Sequence, residues 1–399
     1  MKKVKLGIIG MGNMGSQHYM NVLSGACPEI EVVAVSDINS ERLEWAEATN
    51  KQHRLKDNAI PTLSLFTDSS ELISSGLCDA VIVATPHYSH PTYSIEAMRN
   101  GLHVMCEKPV GVYVAQAREM IYEADRHPEL KFAAMFNQRT NWLYKKVKEI
   151  MDSGELGEMR RTVWLITNWY RPQAYYNSSP WRATWVGEGG GVLLNQCPHN
   201  LDLWQWICGM PSKVYAKMGF GKWHDIEVED DVMACVEFPN GATGMFVAST
   251  ADIPGNNRLE IVCDKGTVIC DGSKIILHKL DMSETEFSKT NNEPYAYPHY
   301  TTEILAADSE NQQHIGVLNA FAAAILKDEP LIADGREGIN SLMISNAMHL
   351  SAWTNREVNI PFDEDQHLAL LEERIKSSKT NENAKYVFSE FNKTHSKIL

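Results

Sequence analysis

The run "VKLGIIGMGNMGSQH", residues 4–18, constrains the architecture of this chain more than any other stretch. An apolar, strand-like segment leads into Gly10-x-Gly12-x-x-Gly15 and then into a helical pattern reaching about Ser24. Gly10 permits a tight turn, Gly12 lets a pyrophosphate approach the backbone, and Gly15 lets helix and strand touch. The phosphates then rest over the positive end of the helix that Asn13 and Met14 begin. Glycines alone are weak evidence, but an acid follows at a suitable spacing. Asp37 ends the second apolar run, "IEVVAVSD", 22 residues after Gly15, where a carboxylate can take both ribose hydroxyls. It would repel a 2′-phosphate, which favours NAD over NADP. The alternative for Asp37 is that it caps the helix that follows.

The alternation of strands and helices continues. "CDAVIVATP" is a strand-like run, and "HPTYSIEAMRNG" a helix closed by Gly101. "LHVMCEKP" reads as a strand, "VYVAQAREMIYEAD" as a helix and "KFAAMF" as a last strand. Residues 1–136 are therefore expected to form a parallel sheet covered on both faces. After Asn137 a helix, "WLYKKVKEIMDSG", precedes strand-like runs separated by glycine turns, as an antiparallel sheet would show. Residues 281–300 read as a polar loop. Helices are expected near 312–327 and 335–354, then an amphipathic "EDQHLALLEERIK" and a polar tail, 377–399, suited to docking or an interface.

At 399 residues two domains are expected, 1–136 and 137–376, with the last helices free to pack back on the first. A net charge of −14 argues against nucleic acid or an anionic membrane as partner. No apolar run approaches the ~18 residues of a membrane span. The N-terminus imitates a signal peptide, but its glycines suit a buried strand and turn, and no small-residue cleavage site follows. Eight scattered cysteines without a C-x-x-C pair fit reduced thiols in a cytoplasmic protein.

Three segments carry candidate chemistry. "CEKPVG" puts Glu107, Lys108 and Pro109 directly after a strand, where ligands bind in open parallel sheets. A partly desolvated lysine there has a lowered pKa suited to proton handling; otherwise it is a surface lysine paired with Glu107. "GGGVLLNQCPHNLDLWQW", residues 189–206, places Asn195 four residues before His199. His199 reads as a base, a metal ligand or a core histidine. Zinc finds no familiar spacing among Cys197, Asp202 and Cys208, so no metal is expected. "NWYRPQAYYNSSPWRATWVGEGGG", residues 168–191, interleaves aromatics with arginines, which suits the C–H face and hydroxyls of a pyranose. Trp181, Arg182 and Tyr176 are the substrate contacts selected from it. An aromatic subunit interface is the other reading; single-stranded nucleic acid conflicts with the acidic total.

Taken in order, Gly10-x-Gly12-x-x-Gly15, Asp37, "ATPHYSH", "EKP" and "GGGVLLNQCPHNLD" resemble the glucose–fructose oxidoreductase, inositol dehydrogenase and rhizopine-catabolism (Gfo/Idh/MocA) family from residue 4 to about 376. The resemblance implies an N-terminal Rossmann domain and a C-terminal α/β domain with a large, mostly antiparallel sheet. The exposed face of that sheet commonly makes dimer or tetramer contacts. By the same resemblance Lys108 is the catalytic lysine and His199 the catalytic histidine. Thr85, Pro86 and His90 pack against the cofactor, Glu107 lies on the cofactor side, and Asn137 falls near the nicotinamide. Asp202 matches the last member of the usual acid-x-x-x-His-x-x-Asp motif, but Asn195 replaces its first acid and Cys197 a common glycine.

The expected activity is NAD-dependent oxidation of a secondary hydroxyl on a sugar, cyclitol or glycoside, with His199 or Lys108 as base. Two alternatives stand beside it: a redox-neutral glycosidase or epimerase that retains its NAD, and a non-catalytic dinucleotide-binding sugar sensor. Asn195 cannot accept a proton and can only orient a partner or bond a substrate hydroxyl. His199 is therefore expected to work without a carboxylate at 195, with more of the proton handling on Lys108.

Overall fold

Six parallel strands form the first sheet: β1 (Val4–Ile9), β2 (Ile30–Ser36), β3 (Ser64–Phe66), β4 (Ala80–Val83), β5 (His103–Cys106) and β6 (Phe132–Ala134). Their order is β3-β2-β1-β4-β5-β6. In this computed structural model, residues 2–307 and 310–379 are described, together with Ala384, Tyr386 and Val387. Helices cover both faces of the sheet, so its central strands are apolar without alternation, and β4 is buried from end to end. The strand order reverses between β1 and β4. A crevice opens there beyond the carboxyl ends of the strands, where ligands of such sheets bind.

The second sheet holds β7 (Met159–Ile166), β8 (Lys213–Phe220), β9 (Glu229–Glu237), β10 (Thr243–Ser249), β11 (Asn257–Cys263), β12 (Gly266–Asp271), β13 (Lys274–Leu280), β14 (Tyr300–Ala306) and β15 (Val358–Asn359). They run β14-β13-β12-β11-β7-β10-β9-β8-β15, and only β7 and β10 pair in parallel. One face buries Trp164, Phe246 and Ile261 with Val147, Trp204 and Met348 of the covering helices. On the other face the register aligns Tyr215, Cys235, Met245 and Val163. That row runs on through Ile269, Ile276 and Ile304, interrupted by Glu260.

The segment 281–300 is not simply a loop. It contains the helix Glu284–Thr290, whose Ser283 cap accepts from the Glu286 N–H at 3.1 Å. The strands β13 and β14 around it were not anticipated. β14 is almost wholly exposed, so it lacks the alternation that marks a half-buried strand. The helix Gln313–Lys327 buries Val317, Leu318 and Phe321 in the core of the first sheet, although it follows the second sheet in sequence. In the polar tail, Lys379 N–H donates to Glu227 at 2.8 Å and Val387 N–H to the Ser178 carbonyl at 3.0 Å. The rest of the tail lies outside the described residues. Among the described residues, no helix is long and apolar enough to cross a membrane.

The two halves are joined by a buried ion pair. Arg139, in the turn Asn137–Thr140 just past β6, donates twice to Asp202, through Nε at 2.8 Å and Nη2 at 2.7 Å. Both side chains are 2% exposed or less. A third bond, Arg139 Nη1 to Glu337 at 2.7 Å, brings in the C-terminal helices. Burial disfavours its charge, yet the bonds to Asp202 and Glu337 push the guanidinium above its ordinary value. Asp202 thus matches its motif position as an anchor. Removing it leaves a buried cation with only the half-exposed Glu337 as partner, so Asp202→Ala is expected to cost about 3 kcal/mol, read as a lowered urea midpoint. A variant unfolding at the parental midpoint contradicts this role.

Candidate active site

The glycine loop closes on itself. A Cβ on Gly15 would sit 1.9 Å from the Gly10 carbonyl oxygen, so no side chain fits where the helix Asn13–Leu23 meets β1. A Cβ on Gly12 would meet nothing within 4 Å. Packing within the protein therefore does not demand glycine at 12, whereas a ligand lying against the backbone would. Gly12 caps the helix, and no side chain bonds the N–H groups at its start around Asn13 and Met14, leaving them for an anion.

Asp37 accepts from Met11 N–H at 2.6 Å and Asn39 N–H at 2.8 Å. The helix that follows is capped by Asn39, whose side chain accepts from Glu41 N–H at 3.0 Å, so Asp37 is not the cap. Thr85 Oγ1 and Asn137 Oδ1 are buried without a hydrogen-bond partner. These orphaned atoms, the open side of Gly12 and the bare helix end fit a dinucleotide. Pro86 starts the turn His87–Ser89 beyond β4. His90 has both ring nitrogens 2.7 Å from carbonyl oxygens, of Pro109 and Thr85. It therefore ties these two loops together and has no ring nitrogen to spare for a ligand.

Glu107 and Lys108 follow β5. Glu107 is buried, 2.7 Å from His18 Nε2, and it also accepts from the Lys108 N–H at 3.1 Å. Burial alone would raise its pKa, but His18, His314 and Lys108 hold it at about 2. Its carboxylate is committed to the helix of the glycine loop. Lys108 Nζ crosses to the other half and donates to the Asn195 carbonyl at 2.6 Å. Burial lowers its pKa; Arg182 and Arg171 add to this, against Glu107 and Glu188.

The loop carrying Asn195 is set by Glu229, at the start of β9. Its carboxylate accepts from Gly191 N–H at 2.8 Å and Leu193 N–H at 3.0 Å, with His349 Nε2 at 3.0 Å. A Cβ on Gly191 would lie 2.0 Å from the Glu229 carbonyl oxygen. The loop hands over to the helix Pro198–Cys208, and His199 sits in its first turn. The His199 ring, 9% exposed, meets Phe136 of the first half edge-on at 6.2 Å. Cys197 is fully buried, and burial pushes its thiol up, so it offers no thiolate.

Sequence reasoning missed two residues here. Asn195 Nδ2 donates to Glu188, a buried carboxylate seven residues earlier, whose other oxygen accepts from Ala183 N–H at 2.6 Å. The Tyr175 hydroxyl accepts from Arg182 Nη1 at 2.7 Å and lies 3.3 Å from Asn195 Oδ1, to which it donates. Tyr176 faces the other way, its hydroxyl donating to Thr250 at 2.8 Å inside the core, so Tyr175 replaces it in the site. Neighbours on the short helix Gln173–Tyr176 point about 100° apart, and their order in sequence did not say which faced in. Glu188 was visible within "GEGGG", but no spacing rule connected it to position 195. Trp181 and Arg182 stand beside this network: Trp181 meets His87 at 5.4 Å, and the Arg182 guanidinium lies over Trp181 at 4.7 Å and Tyr175 at 4.5 Å.

Two substitutions separate packing from ligand space in the glycine loop. Gly12→Val is expected to abolish NADH binding, measured by fluorescence titration, while leaving the melting temperature within about 2 °C of the parent. Gly15→Ala is expected to lower both, because its methyl group strikes the Gly10 carbonyl. Undiminished NADH binding by Gly12→Val contradicts the placement of the cofactor.

Residues 4–134 match the model of an oxidoreductase family with an NAD-binding Rossmann fold, and residues 144–269 match the GFO/IDH/MocA C-terminal domain. The chain is 24% identical over 365 residues to a myo-inositol 2-dehydrogenase of Thermotoga maritima, spanning 90% of this chain and 98% of that protein. It is 28% identical over 255 residues to a D-glucoside 3-dehydrogenase of Escherichia coli, spanning 60% and 68%. The solved WlbA dehydrogenase of Bordetella pertussis, in complex with NADH and UDP-GlcNAcA, shares its fold. That TM-score is 0.74 at 24% identity, over 91% of this chain and 99% of that one. With both halves matched in order, and with the cofactor loop and the Lys108–Asn195 contact between them, the chain belongs to the GFO/IDH/MocA family of NAD-binding oxidoreductases.

Proposed function

We propose that the protein oxidises a secondary hydroxyl of a sugar, cyclitol or glycoside with NAD as the hydride acceptor. The observation that carries this reading is the bond from Lys108 Nζ to the Asn195 carbonyl. It brings a partly desolvated ammonium from the end of the first sheet to the loop that leads into His199. A hydroxyl seated between them would give its proton to His199, while Lys108 donates to the same oxygen and stabilises its developing negative charge. When bound, NAD supplies the hydride-accepting C4 of its nicotinamide. The chain's part is to hold the cofactor over the glycine loop and to orient the alcohol. Trp181 and Tyr175 provide aromatic faces for a ring, and Arg182 provides donors for its hydroxyls. Relatives named as inositol and glucoside dehydrogenases support this substrate class. Asp37 at the end of β2 favours NAD over NADP by charge. The apolar row across the second sheet's free face suits a second copy of the chain, in a dimer or tetramer. Cysteines that are all free thiols suit a reducing compartment such as the cytoplasm.

Absorbance at 340 nm with a panel of inositols, sugars and glycosides tests the activity, with turnover expected on NAD and not on NADP. Lys108→Ala and His199→Ala are each expected to lower kcat/KM by about 100- to 10,000-fold. Parental rates in both variants would overturn the assignment. The ammonium form of Lys108 is the donor, and its pKa is lowered. Wild-type kcat/KM should therefore fall as pH rises through a value below the ordinary lysine range. A Lys108→Arg variant should lose that alkaline limb. Light scattering after size exclusion is expected to give a dimer or tetramer that Met233→Glu with Met245→Glu converts to smaller species; a monomeric parent contradicts the sheet-face interface.

A further inference from the structure

Position 195 carries an amide, yet the site does not lack a carboxylate. Glu188 is 2% exposed and lies on the amide of Asn195. Its backbone is fixed as well, since its carbonyl faces His87 Nδ1 at 2.9 Å. The charged groups that face it are Arg182, at 3.8 Å on its own loop, Lys108 from the end of the first sheet, and Glu229 from the start of β9. An amide that spends one N–H on Glu188 and its oxygen on Tyr175 is locked in orientation. Its main-chain carbonyl is then the acceptor for Lys108 Nζ. One carboxylate thus reaches the lysine by two routes: by contact through Asn195, and by charge through space.

We infer that Glu188 is the carboxylate that works with Asn195 in this site. Through Asn195 it positions Lys108 and sets a negative charge near it, and the two side chains act as one amide–carboxylate unit whose charge can be exchanged between the two positions. Glu188 is a positioning residue, and this role rests on the assignment of Lys108 given above. Burial raises its own pKa, so the unit works above that raised value and weakens as pH falls through it. A carboxylate at 195 added to Glu188 would set two acids against each other, which then share a proton.

The reciprocal exchange tests this. Glu188→Gln alone is expected to lower kcat by about 100-fold through misplacement of the lysine, with NADH affinity within about threefold of the parent. Asn195→Asp alone is expected to lose activity and to shift the acid limb of the pH profile upward. The double variant Glu188→Gln/Asn195→Asp restores one amide and one carboxylate in contact. It is expected to recover to within about tenfold of the parent, a non-additive result. Lys108 is read independently from the pH dependence of its acetylation by acetic anhydride, followed by peptide mass spectrometry. That profile should move to lower pH in Glu188→Gln and return in the double variant. A profile unmoved by Glu188→Gln overturns the proposal, as does a double variant no better than the worse single one, whether through lost activity or lost folding. The acetylation needs no substrate. A parent that oxidises no sugar would therefore defeat the proposed function, while the acetylation still judges Glu188.

Discussion

Arg139 and Asp202 hold the two halves of the molecule in register. The arginine lies one turn past the last strand of the first sheet, and the aspartate lies one turn into the helix that begins at Pro198. Their paired bonds, at 2.7 and 2.8 Å, fix that helix against the carboxyl end of the parallel sheet. A planar guanidinium on a carboxylate allows little rotation, so the clamp sets angle as well as distance. His199 is three residues from Asp202 on the same helix, and Asn137 is two residues from Arg139. The crevice beyond β1, β4 and β5 therefore meets the second half at a defined place. Lys108 can reach Asn195 because this joint does not slide.

Buried carboxylates do the remaining positioning, and each is compensated differently. Glu107 is held by His18 and ties the end of β5 to the glycine-loop helix. Glu229 gathers two backbone N–H groups and His349, which shapes the three-glycine loop. Glu188 accepts from one backbone N–H and one side-chain amide, with an arginine nearby. An ionised carboxylate taken out of water is costly unless such partners surround it. Glu188 has the weakest compensation of the three, and it is the one whose pKa rises while Glu107 and Glu229 fall below the ordinary carboxylate range.

Much of this was legible in the sequence. The glycine loop, Asp37 and the strand–helix series announced the parallel sheet, because local periodicity and turn chemistry suffice for such a unit. Motif order singled out Lys108 and His199, and folding brings the lysine to the loop that leads into the histidine. What could not be read was contact between distant segments. Asp202 was recognised by motif position, but its partner Arg139 lies 63 residues away with no pattern linking them. The choice between Tyr175 and Tyr176 depended on which way a one-turn helix faces. The edge strand β14 was missed because an exposed edge need not alternate, and without it β13 had no visible partner beyond β12. Asn195 was read as a departure from the family pattern, whereas folding brings a carboxylate to it from within its own loop.

The central claim is that the crevice between the sheets passes hydride between a sugar carbon and the nicotinamide. Its most direct test is the fate of deuterium when the protein turns over perdeuterated myo-inositol or a perdeuterated methyl glucoside with NAD. The claim predicts NADH one mass unit heavier, with the label at C4 of the nicotinamide, formed at least about 100-fold more slowly after His199→Ala or Lys108→Ala. Sugar consumption that leaves the cofactor unlabelled would contradict it.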